Sequence, residues 1–261
     1  MKADDLFKAG QLQAAIDAQI ADVKASPADH GKRLFLFELL SFAGEWDRAK
    51  RQVEAISYPD PDRIATVLKY KTLLEAEEHR TRVFRDGVMP EFLMPPPLWM
   101  SHRLQAIASA RVGDWATATA ELAKANEMAA PINAQLNGQP VEDLRDGDDR
   151  FGPVIEAFAQ ATYYWIPLEQ IETLGMNPPK TPRDLIWFPA KISLKDGPEG
   201  DIFLPTRYPG SAASTDDNIR LGRGTDWTEV DDRPVTGTGL RIFLAGENHY
   251  SLLDWRDYQS R

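Results

Sequence analysis

The sequence predicts an α+β protein in which a stack of helical hairpins precedes a strand-rich C-terminal half. Three observations carry this expectation. A short pattern, Gly-x-[Leu/Trp]-x-x-Ala, opens at Gly10, Gly44 and Gly113. Apolar residues keep helical spacing, with interruptions, as far as Met128. From Tyr163 onward, short β-branched and aromatic runs alternate with turn signals.

The first hairpin spans Asp4 to Lys24, with Leu6, Phe7, Leu12, Ala15, Ile16, Ile20 and Val23 on its apolar face, and Pro27 closes it. Gly10 divides it, at a turn position where a left-handed backbone costs no Cβ clash. Gly10 and Gly44 are 34 residues apart and Gly44 and Gly113 are 69 apart. Thirty-four residues is the length of a tetratricopeptide helix–turn–helix repeat. In the second hairpin Leu34 to Phe42 form a bulky helix, and Trp46, Ala49, Val53 and Ile56 face it before Pro59 and Pro61. Asp62 is the expected cap of the next helix, carrying Ile64, Val67, Leu68, Leu73 and Leu74. That third unit reads as degenerate, because residues 75–82 are polar and its glycine arrives late, at Gly87. Met89 to Pro97 holds four prolines and is a connection. Trp99–Arg111 and Asp114–Met128 complete the stack through an alanine-rich contact.

Residues 131–150 carry Gly138, Pro140 and five acids between Glu142 and Asp149 and read as a solvated hinge. Pro153 to Ala161 reads as one further helix, with Asp148 or Asp149 at its N-terminus. Strands are expected at 163–166, 185–188, 192–194, 201–204, 226–229, 240–244 and 250–253, giving a small barrel or strongly bent sheet. The expected division is a helical domain over 1–130, an acidic linker and connecting helix over 131–162, and a β-domain over 163–261.

Composition narrows the function. The chain has 261 residues, a net charge of −10 and a pI near 5.0, which argues against a nucleic-acid binder, since phosphate neutralisation needs a basic surface. It has no cysteine, so thiolate chemistry, disulfides and cysteine-held metals are excluded. No basic leader or spanning apolar run is read from it, and a cytoplasmic, membrane-free protein is expected. His30, His79, His102 and His249 show no i, i+3 or i+4 pairing for a metal. The run Glu142–Asp149 lacks the ordered spacing of a calcium loop. Ser211, His249 and Asp254 sit in no nucleophile elbow, and Gly222-Arg-Gly224 and Gly237-Thr-Gly239 precede no phosphate-binding helix. Neither enzyme activity nor a cofactor is expected.

One segment stands apart. In Phe203–Ser211 two prolines flank Arg207 and Tyr208 and stiffen them. Such a pair offers planar donors beside an aromatic face, as at interface hot spots. Alternatively, Arg207 pairs with an acid of the linker and locks the domains together.

The ordered set Arg150-Phe-Gly-Pro153, Tyr163-Tyr-Trp-Ile-Pro167, Asp184-Leu-Ile-Trp-Phe-Pro189 and Leu204-Pro-Thr-Arg-Tyr-Pro-Gly-Ser211, after a repeat-like helical half, resembles the ImpE/TagJ (SciE-type) accessory proteins of bacterial type VI secretion systems. The resemblance implies a tetratricopeptide-like helical domain joined to a small SH3-like β-barrel. It also implies a cytoplasmic, non-enzymatic adaptor that binds the N-terminal helix of the small sheath subunit, TssB, and connects it to the ATPase ClpV. Its motifs fall on Tyr164, Trp165, Pro167, Trp187, Pro189, Arg207, Tyr208, Gly210 and Ser211. A partner helix is expected in a groove on the first helices of the hairpins, at Arg33, Phe37, Leu40, Tyr70 and Leu74. The rival expectation is a small-molecule or peptide sensor in which Arg207 and Tyr208 hold an anionic ligand.

Overall fold

The structure, a computed structural model, describes residues 1–58 and 60–261, so the proline expected to help close the second hairpin, Pro59, lies outside the described residues. Seven helices come first: α1 Ala3–Lys8, α2 Leu12–Ala25, α3 His30–Phe42, α4 Trp46–Glu54, α5 Pro61–Asp86, α6 Trp99–Arg111 and α7 Trp115–Met128. Gly10, Gly44 and Gly113 sit at the turns α1–α2, α3–α4 and α6–α7 with φ of +79°, +70° and +81°. The recurring pattern therefore marks three hairpin turns with one backbone conformation. Asp29 caps α3 by accepting from the Lys32 amide at 3.1 Å, and Asp114 caps α7 by accepting from Thr117 at 3.1 Å.

Two details of α5 differ from expectation. Its cap is Asp60, which accepts from the Asp62 amide at 2.9 Å, while Pro61 occupies the first turn, where a missing N–H costs nothing. The helix also runs unbroken for 26 residues to Gly87 (φ +77°), through the polar run that suggested a worn hairpin. That run does not break the helix because Ala76, Glu77 and Arg80 are buried against the sheet. In the alanine-rich contact only Ala106, Ala118 and Ala125 are buried.

The remainder is mainly antiparallel sheet, with a one-turn helix, α8 Asp217–Arg220, and short 3-10 turns between strands. The strands are β1 Ala134–Leu136, β2 Gln139–Val141, β3 Arg145–Asp146, β4 Val154–Ala159, β5 Thr162–Pro167, β6 Ile171–Met176, β7 Trp187–Leu194, β8 Glu199–Pro205, β9 Thr225–Thr228, β10 Thr236–Gly239, β11 Ile242–Ala245, β12 Asn248–Ser251 and β13 Asp257–Ser260. Eight form one sheet in the order β2-β1-β13-β6-β7-β8-β4-β5; β10-β9 and β12-β11-β3 form two smaller ones.

The expected helix over Pro153–Ala161 is strand β4, paired along its length with β5. Both its faces are buried, so it carries no alternation, and a short apolar run of this kind has no period to separate strand from helix. The expected acidic hinge is likewise ordered sheet. Asn137 and Gly138, at φ +53° and +71°, turn β1 into β2, and Asp146 and Asp148 are buried. The main sheet does not close into a barrel among the described residues, since β2 and β5 are its edges. The β5 edge is covered by the proline-rich connection, where Glu91 donates to the Tyr163 carbonyl and accepts from the Trp165 amide, both at 3.0 Å.

Helices and sheet share one core. Phe37 of α3 stacks between Tyr70 of α5 and Trp187 of β7, at centroid distances of 5.4 and 5.9 Å. A second core, around Ile155, Phe188, Leu204 and Trp255, fills the sheet side.

Candidate partner-binding site

Where α5 crosses the sheet, apolar packing gives way to a buried ionic network. Arg80 grips Glu156 of β4 with two bonds, Nε to Oε1 at 2.7 Å and Nη2 to Oε2 at 2.9 Å. Its Nη2 also donates to the Arg207 carbonyl at 2.7 Å. Glu77, one turn earlier on α5, accepts from the Trp187 indole at 3.0 Å. Arg241 joins Glu156 to Asp146, donating to the latter at 2.6 Å, and its guanidinium lies 4.3 Å over the Phe151 ring. Asp148 accepts from Arg150 Nε at 2.9 Å and from the Gly237 amide at 2.8 Å. With Arg207 included, four arginines face four carboxylates, so the cluster is neutral while each charge has specific partners. Burial pushes Asp146 up to about 6 against the pull of Arg241, and pushes Arg241 down to about 10.

Arg207 and Tyr208 belong to this interior. The Arg207 terminal nitrogens donate to the carbonyls of Phe42 (2.9 Å), Ser41 (3.3 Å) and Arg220, tying the end of α3 to the 205–213 segment. Tyr208 donates to Asp146 at 2.8 Å, and only 1% of it is exposed. Arg207 therefore clamps the helical half to the sheet half through backbone carbonyls rather than through a linker acid. Burial lowers it to about 10, which leaves it charged at neutral pH.

Phe37, Leu40, Tyr70 and Leu74 are all at most 5% exposed and knit α3 and α5 into the core. Arg33 is half-buried, donating to the Pro27 carbonyl at 2.8 Å and to Gln52 at 3.2 Å. Trp165 and Trp187 are core residues.

The open space lies beside them. A cleft of about 500 Å³ is walled by Trp46, Phe84, Ile186, Pro205 and Pro209, with Arg80 and Glu77 at its lining and Arg85 and Thr81 on α5. A trough of about 570 Å³ continues from it between α4 and α5, sharing Gly44, Trp46, Thr81 and Arg85. Of the expected site residues, Arg207 and Tyr208 line the cleft and Leu74 lines the trough, whereas Arg33, Phe37, Leu40 and Tyr70 line neither. The α4 wall was missed, because the groove was sought on the first helix of each hairpin. The one available signal was Glu77-x-x-Arg80, an i, i+3 ion pair in register with the buried Leu73, Leu74 and Val83.

Among the described residues, no group of three or more His, Asp or Glu side chains is arranged to hold a metal ion, and no helix is long and apolar enough to cross a membrane.

Residues 138–259 match the family model described as ImpE protein. The chain is 32% identical over 257 residues to the type VI secretion system accessory component TagJ of Pseudomonas aeruginosa, covering 98% of this chain and 90% of that protein. A crystal structure of a protein from Vibrio parahaemolyticus superimposes with a TM-score of 0.89 at 25% identity, covering 99% of this chain and 97% of that one. With such identity across nearly its whole length, the chain belongs to the ImpE/TagJ family.

Proposed function

We propose that this protein is a non-enzymatic, cytoplasmic adaptor of a type VI secretion machine. On this reading it holds the N-terminal helix of the small sheath subunit and links the sheath to a ClpV-type ATPase. The observation that carries it is the 32% identity to TagJ over 98% of the chain. The architecture is consistent: a tetratricopeptide-like stack over residues 1–130 is braced by a β-half that begins at β1 Ala134–Leu136, earlier than the expected boundary at 163, and is an open sheet. An open trough beside the α3–α4 turn suits a helix laid into a groove. The anion-sensor alternative has Arg207 and Tyr208 on the lining of the cleft, but the terminal nitrogens of Arg207 are spent on carbonyls and the Tyr208 hydroxyl on Asp146, which disfavours it.

The test is calorimetric titration of the full chain with the full-length small sheath subunit and with that subunit lacking its first helix. The adaptor reading expects binding that disappears with the helix. Equal affinity for both forms, or no binding of either, overturns it.

A further inference from the structure

The exposed side of α5 has a regular 4-3-4-3 spacing: Ile64, Leu68, Lys71, Glu75 and Glu78. Residues so spaced share one face of a helix. The stripe starts apolar, with Ile64 44% and Leu68 53% exposed, and ends acidic. Its acidic end is one wall of the α4–α5 trough; the opposite wall, on α4, carries Lys50 and Arg51. Glu75, Glu78, Lys50 and Arg51 are all exposed. The lining charges that do pair are Arg48 with Glu45, within their own wall, and Arg85 with its neighbour Asp86. No ion pair forms across the trough among the described residues. The floor between the walls is apolar, formed by Trp46 and Leu74. Opposite charges therefore face each other across an open, apolar-floored channel, each free to pair with whatever is seated between them. Asp47 is the one unpaired acid on the α4 side and leaves that wall net positive.

We propose that the α4–α5 trough seats an amphipathic helix of the partner protein whose apolar stripe lies on Trp46, Leu74, Leu68 and Ile64, with its acidic flank toward Lys50 and Arg51 and its basic flank toward Glu75 and Glu78. The two walls differ in sign, so a helix with its flanking charges exchanged places like against like, and the trough selects orientation as well as composition. This rests on the adaptor reading and adds where the helix sits and what charge pattern it carries.

The experiment uses the full chain, the full-length small sheath subunit as probe, and two double variants, Lys50→Glu with Arg51→Glu and Glu75→Lys with Glu78→Lys. These four side chains are exposed, so both variants should keep the wild-type circular dichroism. Each should weaken binding about tenfold at low salt, with the gap narrowing as ionic strength rises. Hydrogen exchange on the wild-type complex should show protection at residues 45–51 and 64–85. Unchanged affinity in both variants, or protection confined to another surface, overturns the trough while leaving the adaptor reading in place. Absence of wild-type binding overturns both.

Discussion

Arg80 and Glu156, 76 residues apart in the chain, meet in a buried two-bond ion pair that joins helix α5 to strand β4. Neither is more than 6% exposed. The pair, with the Arg80 bond to the Arg207 carbonyl, makes helices and sheet one mechanical body. Removing a single partner strands the other charge out of water, which costs about 3–5 kcal/mol. Glu156→Gln should lower the urea-unfolding free energy by about that much, and Arg80→Gln by a similar amount. Because the two act together, the double variant should lose less than the sum of the singles. Wild-type protein should unfold in one transition, with helix ellipticity and tryptophan fluorescence coincident. Two separated transitions would show that the network does not couple the halves.

What could be read beforehand follows the range of the interactions. The turns at Gly10, Gly44 and Gly113 were legible because a left-handed C-terminal cap is a local demand on one residue. Strand β4 was not, since Val154, Ile155 and Phe158 are buried on both faces and show no alternation. Asn137-Gly138 was a readable hairpin signal, masked by the acids around it. Those acids were read as solvated because their partners, Arg241 and Gly237, lie some 90 residues later in the chain. For Arg207 the sequence left two readings open, an interface residue or a clamp to a linker acid, and in the structure it bridges the two halves with no linker acid involved. That it would hold carbonyls of Ser41 and Phe42 was beyond any local pattern.

The clamp gives a sharp contrast between two cations. A guanidinium spans several carbonyls from one planar group, whereas an ammonium offers a compact point charge. Arg207→Lys should keep the charge but lose part of the contact to Ser41, Phe42 and Arg220, at a cost of about 2 kcal/mol. Limited proteolysis should then cut the 205–213 segment faster than in wild type. Inorganic phosphate at millimolar concentration should leave the wild-type Tm unchanged. A phosphate-dependent rise in Tm that Arg207→Lys abolishes would favour the anion-sensor reading instead.

Asp146 should set a pH dependence opposite to that of an ordinary salt-bridged carboxylate. Burial raises it to about 6 in the folded protein, against an unfolded value of about 3.9. Between these values the folded state holds a proton that the unfolded state has released. The contribution of Asp146 to stability therefore falls as pH rises from about 4 to 6 and is level above that, by an amount on the order of 2–3 kcal/mol. Urea unfolding measured in steps across this window checks it: Asp146→Asn, which has no proton to lose, should show a less negative slope than wild type. Parallel slopes would mean that Arg241 holds Asp146 ionised throughout.

Two of the three repeat glycines separate backbone strain from crowding. Gly113 has φ +81° and open space where a Cβ would lie, so Gly113→Ala should cost about 1 kcal/mol from the left-handed backbone alone. Gly113→Asn should cost less, since asparagine tolerates that conformation. Gly44 has φ +70°, and a methyl there would stand 2.7 Å from the Ala212 Cβ, in the segment that Arg207 anchors. Gly44→Ala should add an overpacking cost of about 1–3 kcal/mol to the backbone cost. The methyl must push the 209–213 segment away from the α3–α4 turn, so the change should also reach the Trp46 wall of the cleft. The expected signature is a larger loss of stability than for Gly113→Ala, with faster hydrogen exchange at residues 209–213 and 43–46. Equal costs at the two positions, with exchange unaltered at 209–213, would mean that this segment yields freely and does not fix the shape of the cleft.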